Sequence, residues 1–164
     1  MILNKKTFAF AAGIALFVSS LAPAQLATKK SLTLDIAKQL AAACEKKAMS
    51  LQLHAFIVIA DDGGNIMYVE RMDDAQLGSF DVAVAKARSA VYFKRPTKMF
   101  EDAVHNGYVP LVKLPNAMPV EGGIPLMVDG KLIGAIGVSG GTPQQDGQMA
   151  QAGVDAFSGI IQAK

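Results

Sequence analysis

The chain has 164 residues, with 16 Lys or Arg against 14 Asp or Glu, two His and one Cys. The formal excess of +2 comes from Lys5 and Lys6, so residues 25–164 are charge-balanced and carry no electrostatic footprint for nucleic acid or an anionic membrane surface. One cysteine excludes an intramolecular disulfide, and the length suits one domain with one core.

Lys5 and Lys6 precede an uncharged apolar run from Phe8 to Leu21, which Ala22-Pro23-Ala24 closes. That order is the pattern of a secretory signal peptide, and the run falls short of the roughly 20 residues a membrane span needs. The expected organisation is a signal over residues 1–24 and a single domain over residues 25–164, exported to the periplasm or the medium, with no stable membrane anchor. The rival reading is an uncleaved anchor.

Residues 25–31 read as a short flexible lead. From Thr33, the apolar positions Ile36, Ala37, Leu40, Ala41, Cys44 and Ala48 fall on one helical face, with Lys38, Glu45 and Lys46 opposite. Thr33 is placed to cap that helix, and Asp35 complements its positive end. In this setting Cys44 reads as a small buried hydrophobe; its other reading is a soft ligand or an intermolecular bridge. His54–Ala60 and Ile66–Met72 are β-rich runs joined by Asp61-Asp62-Gly63-Gly64-Asn65, which predicts an antiparallel hairpin. No third acidic residue follows at calcium-loop spacing, so the two aspartates read as turn residues.

A second helix is expected from Gly78-Ser79 through Phe93, ended by Arg95-Pro96. Thr97 would cap a third helix to about His105, closed by Asn106-Gly107. Residues 108–121, with Pro110, Pro115 and Pro119, form the long connection where a ligand-facing loop is expected. Asp129-Gly130 sits between two apolar runs and predicts a hairpin over residues 124–138, since both turn positions require positive φ. Gly122, Gly123 and Gly137 read as positions fixed by the backbone. Thr142-Pro143 with Gln145 predicts a capping box and a last helix from 143 to about 162. The order α–β–β–α–α–loop–β–β–α gives an α+β fold, because the strand–helix alternation of a parallel sheet is missing.

The sequence contains no nucleophile elbow, phosphate loop, HExxH helix or CxxC pair. His54 and His105 lack a local partner that would fix either as a base, so no catalytic set is readable. His54 reads as a strand-edge residue or a ligand. His105 would either interact with the dipole at the end of its helix or bind a metal. Haem iron accepts histidine, tyrosine or methionine as axial ligand, and Met99, His105 and Tyr108 place all three types within one short segment. Arg88 and Arg95, two turns apart on nearly the same side of a helix, could hold haem propionates or another carboxylate; a solvated face explains them equally well.

Several segments together resemble the GlcG/HbpS-like family of haem-degrading or haem-binding domains, to which the C-terminal domain of PduO is related. They are Leu32-Thr33-Leu34-Asp35, Val58-Ile59-Ala60-Asp61-Asp62-Gly63-Gly64, Arg71-Met72-Asp73, Lys86-Ala87-Arg88-Ser89-Ala90 and Arg95-Pro96-Thr97. Glu121-Gly122-Gly123-Ile124-Pro125, Gly134-Ala135-Ile136-Gly137-Val138-Ser139-Gly140 and Gln145-Asp146-Gly147 continue the match in order. The resemblance implies a profilin- or PAS-like fold with a central antiparallel sheet of about five strands and packed helices, assembling as a homo-oligomer. It also implies haem as cofactor, iron release, or redox sensing beside a membrane sensor partner. The haem ligands named here, His105 for the iron with His54, Tyr108, Met99, Arg88 and Arg95 around it, come from residue chemistry.

The leading expectation is an exported haem-binding protein that handles haem and iron or senses redox state. The alternatives are an enzyme or accessory protein binding a small hydroxy acid or related carboxylate, with Arg88 or Arg95 holding the acid, and a non-catalytic oligomeric interaction module. Exported protein is expected to begin at Gln25, after cleavage at Ala24. N-terminal sequencing checks this, and a product beginning at Met1 would refute it.

Overall fold

The computed structural model describes residue 26 and residues 28–162; the expected signal segment and its cleavage point lie outside them. Four helices and four strands follow one another as α1 (Leu34–Ser50), β1 (Phe56–Asp61), β2 (Ile66–Arg71), α2 (Ser79–Phe93), α3 (Lys98–His105), β3 (Gly123–Val128), β4 (Lys131–Ser139) and α4 (Pro143–Gln162). A 3-10 helix, Val109–Lys113, lies within the proline-containing connection. The strands form one antiparallel sheet in the order β2-β1-β4-β3.

The local signals act as their chemistry requires. The Thr33 hydroxyl accepts from the Ile36 amide at 3.3 Å and starts α1. The Asp61 carboxylate accepts from the Gly63 and Asn65 amides, both at 2.8 Å, and shapes the β1–β2 turn. Asp129 and Gly130 turn the β3–β4 hairpin with φ of 51° and 72°, the pair of positive angles that matches strand twist. At α4, the Thr142 amide donates to Gln145 Oε1 at 2.9 Å while the Gln145 amide donates to the Thr142 hydroxyl at 3.3 Å, a complete capping box.

Helices cover both sheet faces. Ile57, Ile59, Ile136 and Val138 pack with Leu40, Ala41, Cys44, Met149 and Phe157 of α1 and α4. On the other face, Phe56, Val58, Ala60 and Ala135 meet Ala83, Ala87 and Ala90 of α2. The alanines let α2 approach closely, and Gly137 of β4 completes the fit: a Cβ there would overlap the Ala83 carbonyl and lie 2.6 Å from the Ala87 nitrogen. Burial pushes the Cys44 thiol up to about 12, so Cys44 is an inert core side chain rather than a ligand.

Three expectations need correction. The sheet has four strands among the described residues, as the pattern of residues indicated, and not the about five that the resemblance implied; the 108–121 connection folds partly as the 3-10 helix instead. Thr97 does not cap α3 with its side chain. Its hydroxyl accepts instead from the Gly123 amide at 2.9 Å, while the Thr97 amide donates to the Gly123 carbonyl at 2.9 Å. The lead also makes ion pairs with the domain surface, Lys29 with Asp62 at 2.8 Å and Lys30 with Asp129 at 2.9 Å.

Gly137→Ala is expected to destabilise the domain by about 2 kcal/mol or more, because overpacked cores typically lose 1–3 kcal/mol. Gly130→Ala, where a Cβ meets no atom within 4 Å, is expected to cost only the left-handed backbone penalty of about 1 kcal/mol. Urea unfolding of the two variants measures the difference, and equal losses would contradict the close α2–β4 contact.

Candidate functional site

The residues singled out by their chemistry occupy three places. His105 ends α3 and is exposed, as are Met99 and Tyr108 at 54% and 59%. After α3 the chain reverses at Gly107, whose φ is 91°, and the Tyr108 amide donates to the Ala103 carbonyl at 2.9 Å. The 3-10 helix that follows leaves Val109 and Val112 exposed, with Leu114 just beyond it. An exposed imidazole and an exposed phenol are therefore followed along the chain by exposed aliphatic side chains. Met99 does not join His105: six residues apart at 3.6 per turn, they project about 120° apart. His105 shares its face of α3 with Lys98 and Asp102, which pair at 2.6 Å.

His54 and the two arginines are elsewhere. His54 precedes β1, exposed, with its carbonyl against Gly140. Arg88 Nε donates to the Gly64 carbonyl in the β1–β2 turn at 3.2 Å. Arg95 lies outside α2, which ends at Phe93 and turns at Lys94 with φ of 51°; its guanidinium stands 5.8 Å from the centre of the Phe100 ring. The two arginines therefore do not share a helix face, and the paired clamp for a carboxylate is not formed. Arg95 alone adjoins α3.

A second constellation escaped the sequence reading. Lys86 is fully buried and its ammonium lies 2.6 Å from Asp146 Oδ2 and 3.1 Å from the Val138 carbonyl. Asp146 Oδ1 accepts from the Gly140 and Gly141 amides at 3.0 and 2.8 Å. Burial pushes the Asp146 carboxyl up, against the pull of the Lys86 ammonium and both amides. The readable signal was helical phase: Lys86 falls in the same stripe as Ala83, Ala87 and Ala90 of α2.

The Gly122–Gly123 pair serves this ion pair. Gly122 has a φ of 126°, and a Cβ there would lie 2.9 Å from the Lys86 ammonium and 2.8 Å from the Asp146 Cβ. At Gly123 a Cβ would overlap the Lys86 carbonyl. Thr97 holds Gly123 through both main-chain groups, and the buried Glu101 carboxylate accepts from the Glu121 amide. Thr97, just before α3, and Glu101 of α3 thus hold the loop from Glu121 to Gly123, against which Lys86 of α2 and Asp146 of α4 are closely packed.

Comparison with known proteins agrees with this architecture. The family model described as "Haem degrading protein HbpS-like" matches residues 32–155. Protein GlcG of Escherichia coli K12 is 39% identical over 112 residues, spanning 68% of this chain and 84% of that protein. The structure of a PduOC–haem complex superposes with a TM-score of 0.71 at 33% identity, covering 77% of this chain and 95% of that one. A double mutant of Streptomyces reticuli HbpS superposes with a TM-score of 0.75 at 28% identity, covering 91% and 99% of the two chains.

Lys86→Met leaves Asp146 buried without its counter-ion and is expected to cost about 3–5 kcal/mol, the range for breaking a buried pair. Adding Asp146→Leu to that variant should recover part of the loss. Chemical denaturation of the two variants measures this, and a single variant as stable as the parent would show that the pair carries no such constraint.

Proposed function

This chain belongs to the HbpS-like family, and on that premise we propose that it is an exported haem-binding protein that handles haem or iron, or senses redox state, outside the cytoplasm. A relative of the same fold at 33% identity has been solved with haem bound. The observation that carries the reading to this chain is the exposed imidazole of His105, followed within nine residues by the exposed Tyr108, Val109, Val112 and Leu114.

The donor set fits haem. Imidazole and phenolate are both axial ligands of haem iron, and aliphatic side chains left in water gain by covering a porphyrin face. His105 is the proposed iron ligand, with Tyr108 as second ligand or ring contact. Arg95, turned toward α3 by Phe100, and Lys113 at the end of the 3-10 helix supply cations for propionates. Bound haem supplies an iron centre that changes oxidation state, the chemistry a redox sensor needs. The basic start and short apolar run of the sequence support export, and a membrane sensor is the proposed partner for the signalling role. The same exposed aliphatic side chains support assembly into a homo-oligomer, in which a second copy covers what haem does not.

Titration of haemin into the wild type is expected to give a saturable Soret band. His105→Ala should shift its maximum and weaken binding, and His54→Ala should leave both unchanged. A changed spectrum only in His54→Ala would move the ligand to the β1 end, and unchanged spectra in both would overturn the assignment to α3.

A further inference from the structure

Among the described residues the sheet ends in two edge strands, β2 and β3. The outward N–H and C=O groups of such a strand can pair with a further strand unless something prevents it. The two edges differ in this respect. β3 carries Pro125, which offers no N–H to a neighbour. The Gly123 amide and carbonyl at its start are already bonded to Thr97. β2 contains no proline. A register shift beside Ile59 and Ala60 distorts its start, whereas Tyr68, Val69, Glu70 and Arg71 pair regularly with β1.

The helices leave this same edge bare on one face. α2 packs on β4, β1 and β3 and makes little contact with β2. Val69 and Arg71 stand opposite Val58 and Phe56 of β1 and so share the α2 face; Val69 is 37% exposed. Phe80, Val84 and Arg88 follow one another along a single flank of α2. That flank overlooks β2, since the Phe80 ring lies 5.7 Å from the Phe56 ring and Val84 packs with the same cluster. Leu77 precedes Phe80 by one turn, its carbonyl accepting from the Phe80 amide at 3.2 Å. Leu77 and Phe80 are 70% and 40% exposed. Single exposed apolar residues are ordinary, but a group of them beside an open strand edge marks an interaction surface.

The side chains of the edge select the occupant. A two-fold axis perpendicular to the sheet pairs β2 antiparallel with another β2 and keeps every residue on its own face, so the register must centre on one residue. Centred on Val69, it sets Val69 against Val69 on the α2 side and Tyr68 against Glu70, twice, on the other. The Tyr68 hydroxyl already donates to Glu70 of its own strand at 3.1 Å, so phenol and carboxylate are suited to meet across the seam. Centred on Glu70, the pairing would oppose two half-buried carboxylates; centred on Tyr68, it would set Glu70 against Ile66. We propose that the β2 edge is a self-association surface at which two copies of this chain join their sheets, with Val69 on the two-fold axis and Leu77 and Phe80 of both copies covering the seam. This adds to the homo-oligomer of the proposed function a surface separate from α3 and its connection, and it does not depend on haem.

Directly opposed residues of antiparallel strands have Cα atoms about 4.5–5.5 Å apart, within the roughly 4.4–6.8 Å that a disulfide accepts. Val69→Cys is therefore expected to cross-link two copies under dissolved oxygen. Met49→Cys, at an exposed position on α1, should stay largely monomeric on a non-reducing gel. Cys44 is buried, its thiol pushed up to about 12, and contributes no cross-link. Sedimentation of the wild type should show reversible self-association. Val69→Lys should weaken it about a hundredfold, because it sets two ammonium groups against each other at the axis. The haemin titration of that variant should match the wild type, so failure of the haem reading leaves this result standing. Cross-linking of Val69→Cys no faster than of Met49→Cys would overturn the proposal. So would self-association of Val69→Lys equal to that of the wild type.

Discussion

The buried contact between Lys86 and Asp146 is the constraint around which the centre of the molecule is arranged. Two ions removed from water recover their solvation only if every lone pair and proton has a partner. Asp146 accepts from one ammonium and two glycine amides, and Lys86 donates two of its three ammonium protons, to one carboxylate and one strand carbonyl. The pair joins α2 to the start of α4, and both to the end of β4. The glycines near it follow from that closeness: any side chain at 122 would occupy the space of the ions themselves. Gly122 and Gly123, which the sequence marks as positions fixed by the backbone, are the clearance around a salt bridge.

The molecule separates rigidity from exposure. The two apolar layers, the ion pair and the Thr97 and Glu101 ties sit around the sheet, whereas the exposed imidazole and the exposed aliphatic side chains sit on α3 and the connection behind it. Such a division suits a binding surface, because a loop positioned by a rigid scaffold can present side chains that would be costly to expose elsewhere. Glu101 links the two regions: it belongs to α3 yet bonds the loop that carries Glu121.

Much of the fold was legible because its signals are local. A threonine cap, an Asp-Gly turn and a capping box each act over three or four residues, and Thr33, Asp129-Gly130 and Thr142 with Gln145 behave as their chemistry requires. Thr97 shows the limit of that logic, since a strand amide far away in the sequence claimed its hydroxyl. The arginines show another: the residue before a proline avoids helical backbone, so the Pro96 that stops α2 also takes Arg95 off its face. Lys86 was passed over because lysine usually marks a solvated face. Only the phase of its alanine neighbours tells otherwise, and its partner lies 60 residues on. Sites built from distant segments leave no spacing to read.

The strand order carries a consequence for how the chain reaches this state. Each hairpin closes over a tight turn, but the central pairing sets Phe56 of β1 against Ser139 of β4. Isolated two-stranded hairpins are marginal in water, so neither half is expected to persist before they meet. Bringing them together requires closure of the whole intervening chain, with α2, α3 and the proline-containing connection inside the loop. The entropy of that closure is lost before the central contacts repay it. The β1–β4 seam is therefore the strand pairing that carries the largest loop-closure cost in this sheet, and α2, packed beneath it, lies inside the loop that must close.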